Sequence, residues 1–184
     1  MSRFMIASDL HGDADSAEKL IARYRESGAQ RLILLGDLLY HGPRNDLPAA
    51  YAPKRVIELL NGMAEELLCV RGNCDTEVDA MVLKFPILAD YAYVTNGDVS
   101  VFATHGHKFD RYAPPPLGRG EILLHGHTHV SGAWKFGEDN LCLNPGSVSI
   151  PKEGSAHGYM ILENGVFTWK DLEDGHAISS WKAE

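Results

Sequence analysis

Five short apolar runs in this chain each end at, or just before, a side chain able to bind a metal ion. Residues 3–8 lead to Asp9, residues 31–35 to Asp37, residues 67–70 to Asn73, and two later runs to His105 and His127. Groups so placed stand at the rim of a sheet, where α/β folds keep their chemistry. Turn formation alone explains Gly, Asn and Asp at strand ends, but it has no use for histidine. The histidines therefore mark a site.

Helical patterns separate the first of these runs. Ala17, Leu20, Ile21 and Tyr24 recur at helical spacing as far as Gly28, a C-terminal stop, and Val56, Ile57, Leu60 and Met63 repeat the period over 54–65. Strands alternating with helices imply a partly parallel sheet in an α/β fold. From about residue 86 the texture changes to short β-runs parted by turn signals such as Asn96-Gly97 and Asn164-Gly165. No Gly/Ser-rich linker separates the halves, and 184 residues suit one domain. The expectation is a single domain over 1–184, with two sheets packed into one core and helices outside. Segments 38–53 and 106–120 have loop composition and follow candidate ligands, so they are candidates for the walls of a substrate cleft.

Composition narrows the functional classes. A formal net charge of -8 disfavours an electrostatic grip on long nucleic acid. Cys69, Cys74 and Cys142 have no CxxC spacing, so neither a disulfide framework nor a cysteine zinc site is indicated, and a reducing compartment fits better. No stretch approaches the roughly 20 apolar residues of a membrane span. A cytoplasmic enzyme is expected.

In an extended segment alternate side chains share a face, which predicts that Asp9 pairs with His11, and His127 with His129, each pair reaching one site. Asp9, His11, Asp37, Asn73, His105, His127 and His129, with one carboxylate shared, would give each of two metal ions about four protein ligands and leave positions for water and substrate. Two divalent cations outweigh the charge of Asp9 and Asp37, so the centre would attract phosphate. His125, inside its strand, is read as a core residue.

In chain order, Asp9-Leu10-His11, Gly36-Asp37, Gly72-Asn73-Cys74-Asp75, His105-Gly106-His107 and Gly126-His127-Thr128-His129 resemble the motif blocks of the calcineurin-like metallophosphoesterases. The match runs from residue 9 to about 147. Chain size, the cysteine in the third block and Asn144-Pro145-Gly146-Ser147 look like the small bacterial YfcE-type phosphodiesterases, which are also similar to the retromer small subunit. The resemblance implies an αββα sandwich of two mixed β-sheets. It assigns Asp9, His11, Asp37 and His129 to one metal, and Asp37, Asn73, His105 and His127 to the second. The expected reaction is hydrolysis of a small phosphodiester by a hydroxide activated between two divalent ions, with Mn²⁺ preferred and Ni²⁺, Fe²⁺ or Zn²⁺ as alternatives. Neither long nucleic acid nor a membrane is an expected partner, and the sequence allows a homo-oligomer.

Cys74 departs from the family pattern, because many relatives carry a histidine there that protonates the leaving group or contacts phosphate. A thiol is the weaker hydrogen-bonding group. Diesters with acidic leaving groups are therefore the expected substrates, with His107 as a substitute acid, and both residues are expected to face substrate. Asp75 is expected to cap the next helix or to orient a ligand, and Thr128 to act as a spacer. His41, Arg44, Lys108 and Arg111 are further loop candidates for substrate contact. Two other readings compete: a phosphomonoesterase or protein phosphatase using the same metals, and a non-catalytic interaction module of the same fold.

Overall fold

A computed structural model describes residues 2–183. The first half contains β1 (Arg3–Ala7), α1 (Ala14–Ser27), β2 (Arg31–Leu34), α2 (Pro53–Asn61), β3 (Leu67–Cys69) and α3 (Glu77–Val82). The second half is β4 (Tyr91–Asn96), β5 (Val99–Thr104), β6 (Ile122–Leu124), β7 (Gly132–Phe136), β8 (Asn140–Asn144), β9 (Gly158–Glu163), β10 (Val166–Asp171) and β11 (Ala177–Lys182).

Local chemistry accounts for most helix boundaries. The Asp13 carboxylate accepts the Ser16 amide at 2.8 Å and opens α1, and Gly28 closes it in the left-handed region at φ 66°. Pro53 is pre-set for the first turn of α2. The periodic stretch 54–65 breaks at Gly62 into α2 and a short 3-10 turn, Ala64–Glu66. Thr76, not Asp75, caps α3: its backbone N–H donates to the Asp79 carboxylate at 2.7 Å, and its hydroxyl accepts the Asp79 amide at 3.4 Å.

The strands form two mixed sheets, a six-stranded one in the order β11-β10-β9-β1-β2-β3 and a five-stranded one in the order β4-β5-β6-β8-β7. β1, β2 and β3 run parallel, as do β5, β6 and β8. Alternation along β1 separates two cores. Met5 and Ala7 meet Leu20 and Tyr24 of α1 and Val56 and Leu60 of α2, whereas Ile6, like Phe167 of β10, faces Val101, Ala103, Ile122 and Leu124 of the second sheet. The expected pair of packed sheets with helices outside is the observed architecture. Its outer layers differ in kind. Helices cover the six-stranded sheet, while Phe102, Leu123 and Cys142 on the outer face of the other are covered partly by Phe109 and Leu117 of segment 106–120.

Phe167 is fully buried between the sheets, whereas Met81 on α3 is 83% exposed. Phe167→Ala is expected to destabilise the fold by about 3–5 kcal/mol in urea unfolding, and Met81→Ala to change stability by less than about 0.5 kcal/mol. Equal effects of the two would contradict this core.

Candidate metal centre

The parallel strands of both sheets deliver their following loops to one place. Asp9 and His11 follow β1, Asp37 follows β2, Asn73 follows β3, His105 follows β5, and His127 and His129 follow β6. The loops are cross-bonded: the Asp9 amide donates to Gly36 O at 3.1 Å, the His11 amide to Asp37 O at 2.9 Å, and the His127 amide to Asp9 Oδ2 at 3.0 Å. The last of these joins the two sheets.

The backbone here is not extended, contrary to the alternation argument for the Asp9/His11 and His127/His129 pairs. Asp9, His11, Asp37, His127 and His129 have φ of 59°, 48°, 57°, 66° and 62°, and among the described residues they are five of the seven non-glycine ones with positive φ. Asp and His tolerate this region better than most residues, yet each such conformation costs on the order of 1–3 kcal/mol and persists only when its surroundings enforce it. Curled loops, rather than a shared strand face, bring the pairs together. Neighbouring glycines make room: a Cβ on Gly72 would collide with the Asp37 carboxylate, and one on Gly126 with Ser8 Oγ.

Two groups of donor atoms result, Asp9 with His11 and His129, and Asp37 with His105 and His127, and within each group all donor atoms lie within 4.8 Å of one another. In the first, His11 Nε2 is 3.2 Å from His129 Nε2, and Asp9 Oδ1 is 3.3 Å from His129 Nε2. In the second, His105 Nε2 is 3.2 Å from His127 Nδ1 and 3.1 Å from Asn73 Oδ1. Asp37 Oδ2 lies between the groups, 3.4 Å from His105 Nε2 and 3.7 Å from His11 Nε2.

Tautomers show what this geometry suits. Nδ1 of His11, His105 and His129 approaches the carbonyls of Tyr40, Leu35 and Ile150 at 2.8, 2.7 and 2.8 Å. A carbonyl only accepts, so each Nδ1 carries hydrogen, and in the neutral ring each Nε2 turns a lone pair inward. Two such lone pairs face each other at 3.2 Å between His11 and His129, beside Asp9 Oδ1, which is buried without a hydrogen-bond partner. Divalent cations satisfy such a set, and carbonyl-anchored histidines are their usual ligands.

Residues 3–165 match the family described as the calcineurin-like phosphoesterase superfamily domain. The chain belongs to that superfamily. It is 45% identical over 179 residues to phosphodiesterase YfcE of Escherichia coli, covering 97% of each chain. The solved structure of that phosphoesterase superposes with a TM-score of 0.94 at 44% identity, over 99% of this chain and 100% of the other. A probable metallophosphoesterase of Bacillus subtilis, YsnB, is 26% identical over 174 residues, 89% of this chain and 86% of the relative. Zinc-bound Vps29 of Entamoeba histolytica shares the fold alone, with a TM-score of 0.61 at 19% identity over 99% of each chain. Divalent metals are a property of metallophosphoesterases, and the donor groups of this chain fit them.

Around these phosphoesterase groups lies a shell that the sequence did not reveal in full. The buried Asp75 carboxylate accepts the amides of Asp37 at 2.8 Å, Gly72 at 2.7 Å and Leu38 at 2.9 Å, which is the orienting role and not the helix cap. Ser147 and Ser149 hydroxyls both donate to Asp9 O at 2.8 Å. Thr128 is more than a spacer, since its hydroxyl accepts from Asn144 Nδ2 at 3.0 Å. His125 is a core residue as expected, and burial pushes its pKa down.

Over the centre opens a cleft of about 270 Å³, lined by Asp37, Asn73, Cys74, His127 and His129, and by Gly42, Arg44, Asn45 and Lys152. Arg44 is thus placed as its loop suggested, and Lys152 is a cleft residue that no motif signalled. His107 is exposed, with its ring 5.4 Å from that of His105 and 6.3 Å from that of His127, beside the centre but not among the cleft-lining residues. The other loop candidates are engaged elsewhere. The His41 ring packs edge-on against Tyr40 and Tyr51, Lys108 pairs with Asp90 at 2.6 Å, and Arg111 lies over Trp134 at 4.6 Å.

Charge is tightly coupled in this region. Burial opposes ionisation of Asp9, but the adjacent imidazoles of His11, His129 and His105 outweigh it and hold the carboxyl well below its usual range. Burial likewise opposes a charge on His105, yet Asp37 and Asp9 raise it to about 9. Burial, with the charge on His105, lowers His127 to about 4. Without metal, His105 therefore holds a proton near neutrality, and metal must displace it. Metal uptake near neutrality is expected to release protons, and apparent metal affinity to rise with pH until it levels off at about 9, measured by titration calorimetry in buffers of different ionisation heat. Affinity independent of pH would refute this competition. Asp75→Ala, which strips three buried amides of their acceptor at about 1–3 kcal/mol each, is expected to lower both stability and metal content.

Proposed function

We propose that the protein is a metal-dependent phosphodiesterase acting on a small phosphodiester. The observation that carries this reading is the meeting of two donor groups at Asp37 Oδ2, beneath an open cleft. Asp9, His11 and His129 would hold one ion, Asn73, His105 and His127 the other, and Asp37 would bridge them. Mn²⁺ is the proposed ion, with Ni²⁺, Fe²⁺ or Zn²⁺ as alternatives, since Asp, Asn and His donors suit all four. When bound, such ions lower the pKa of water towards neutrality and screen the charge of phosphate oxygens.

The chain's own residues set the limits of the reaction. Asp75 fixes the Asp37 backbone by accepting its amide, and the Cys74 amide fixes the carboxylate, donating to Asp37 Oδ1 at 2.8 Å. Cys74 faces His11 and Asp37, and burial together with Asp37 pushes its thiol up to about 12, making it a weak proton donor. Burial and the charge on His105 lower the pKa of His107, which leaves that imidazole neutral and argues against it as the acid. With no strong acid at the cleft, a leaving group must depart largely on its own acidity. That favours diesters of acidic alcohols over poor leaving groups. The full-length similarity to an enzyme named a phosphodiesterase supports the same choice. The net charge of -8 supports a small substrate over long nucleic acid, and three buried free cysteines support a reducing, cytoplasmic setting.

Bis(p-nitrophenyl) phosphate is expected to be cleaved faster than p-nitrophenyl phosphate, and faster with Mn²⁺ than with Mg²⁺, Zn²⁺ or Ni²⁺. Faster monoester cleavage would overturn the diester assignment. Asp37→Asn, which removes the bridging charge, is expected to lower kcat by about 10²–10³-fold or more while urea unfolding still shows a cooperative fold. Near-normal turnover in that variant would take Asp37 out of the bridge.

A further inference from the structure

The cleft holds more positive charge than a simple diester requires. Arg44 and Lys152 both line it, and Asp37 is the one carboxylate among its lining residues. Neither cation forms an ion pair among the described residues, so both charges remain available at the cleft. The two come from separate segments that are tied to each other and to the metal centre. The Lys152 amide donates to His129 O at 3.0 Å, Lys152 Nζ donates to Asn45 Oδ1 at 3.2 Å, and Asn45 Nδ2 donates to His41 O at 2.8 Å. Gly42, on the same loop, backs onto Cys74, and a Cβ there would lie 3.2 Å from its Sγ.

A diester phosphate carries one negative charge, which a dinuclear centre meets alone. Two further cations with no carboxylate partners, both lining one cleft that focuses their field, match another anion. The planar fork of Arg and the compact ammonium of Lys both suit phosphate oxygens. We infer that Arg44 and Lys152 form a second anion subsite, and that the substrate class is a phosphodiester one of whose alcohols carries a further phosphate. This inference rests on the phosphodiesterase reading and narrows it.

Thymidine 5′-(p-nitrophenyl phosphate) and its 3′-phosphorylated derivative share the scissile bond and the leaving group, and differ by one phosphate. The Mn²⁺-loaded protein is expected to show a KM about tenfold lower for the 3′-phosphorylated probe, the scale of one charge-assisted contact. Arg44→Gln and Lys152→Gln should each shrink that ratio, and the double variant should bring it close to one. Lys182→Gln makes the same charge change at the other end of the six-stranded sheet, since Lys182 aligns through Val166 and Glu163 with Arg3 at the start of β1. It should keep the ratio. Calorimetric binding of thymidine 3′,5′-bisphosphate and thymidine 5′-monophosphate reads the subsite without turnover, and the bisphosphate should bind more tightly to the wild type but not to the double variant. Equal affinities in the wild type, or an equal loss of preference in Lys182→Gln, would overturn the subsite. Failure to cleave either diester would instead overturn the phosphodiesterase reading, and the binding comparison would still decide the subsite.

Discussion

The donor atoms of His11, His129 and Asp9 face one another across 3.2 to 3.6 Å in a buried space, and the surrounding structure is arranged to hold them there. Three imidazoles are held at Nδ1 by backbone carbonyls, which fixes each Nε2 toward the centre. Five donor residues adopt left-handed backbone that an unrestrained loop would leave. Asp75, Ser147 and Ser149 supply the restraint through buried hydrogen bonds to the Asp37 and Asp9 backbone. Stability is given up locally so that a cation has partners fixed before it arrives.

Much of this was legible in the chain because it rests on short-range rules. An apolar run followed by Asp or His places a donor at a sheet rim in any α/β arrangement, and all seven sequence-derived ligand candidates lie together. The α1 pattern, its Gly28 stop and the alternation of cores along β1 follow from local periodicity. What stayed hidden depends on tertiary contacts. Nothing near Lys152 announces that its side chain reaches Asn45, more than a hundred residues earlier, and Ser149 is an ordinary serine until Asp9 lies beside it. The extended geometry assumed for His127 and His129 failed because periodicity carries no information on loop dihedrals. Thr76 and Asp79 have the spacing of a capping box, a local signal that marks α3 and frees Asp75 for another role.

The two long loop segments divide labour in a way that composition does not reveal. Segment 38–53 gives Gly42, Arg44 and Asn45 to the cleft, whereas Phe109 and Leu117 of segment 106–120 cover apolar residues on the outer face of the five-stranded sheet. The second sheet lacks the helical cover of the first, so part of this loop serves as core. Hydrophobic residues within a polar-looking segment are the sign that separates a covering loop from a cleft wall.

The bond from the His127 amide to Asp9 Oδ2 makes the donor set a seam between sheets, because Asp9, His11, Asp37 and Asn73 follow strands of one sheet and His105, His127 and His129 follow strands of the other. Whatever binds at such a seam fastens halves of the molecule that are distant along the chain, and it binds the folded form alone. Mass action then couples occupancy to unfolding. For a chain built in this way, metal supply in the cell would govern resistance to proteolysis as well as turnover, so that starvation for the ion would shorten the protein's lifetime.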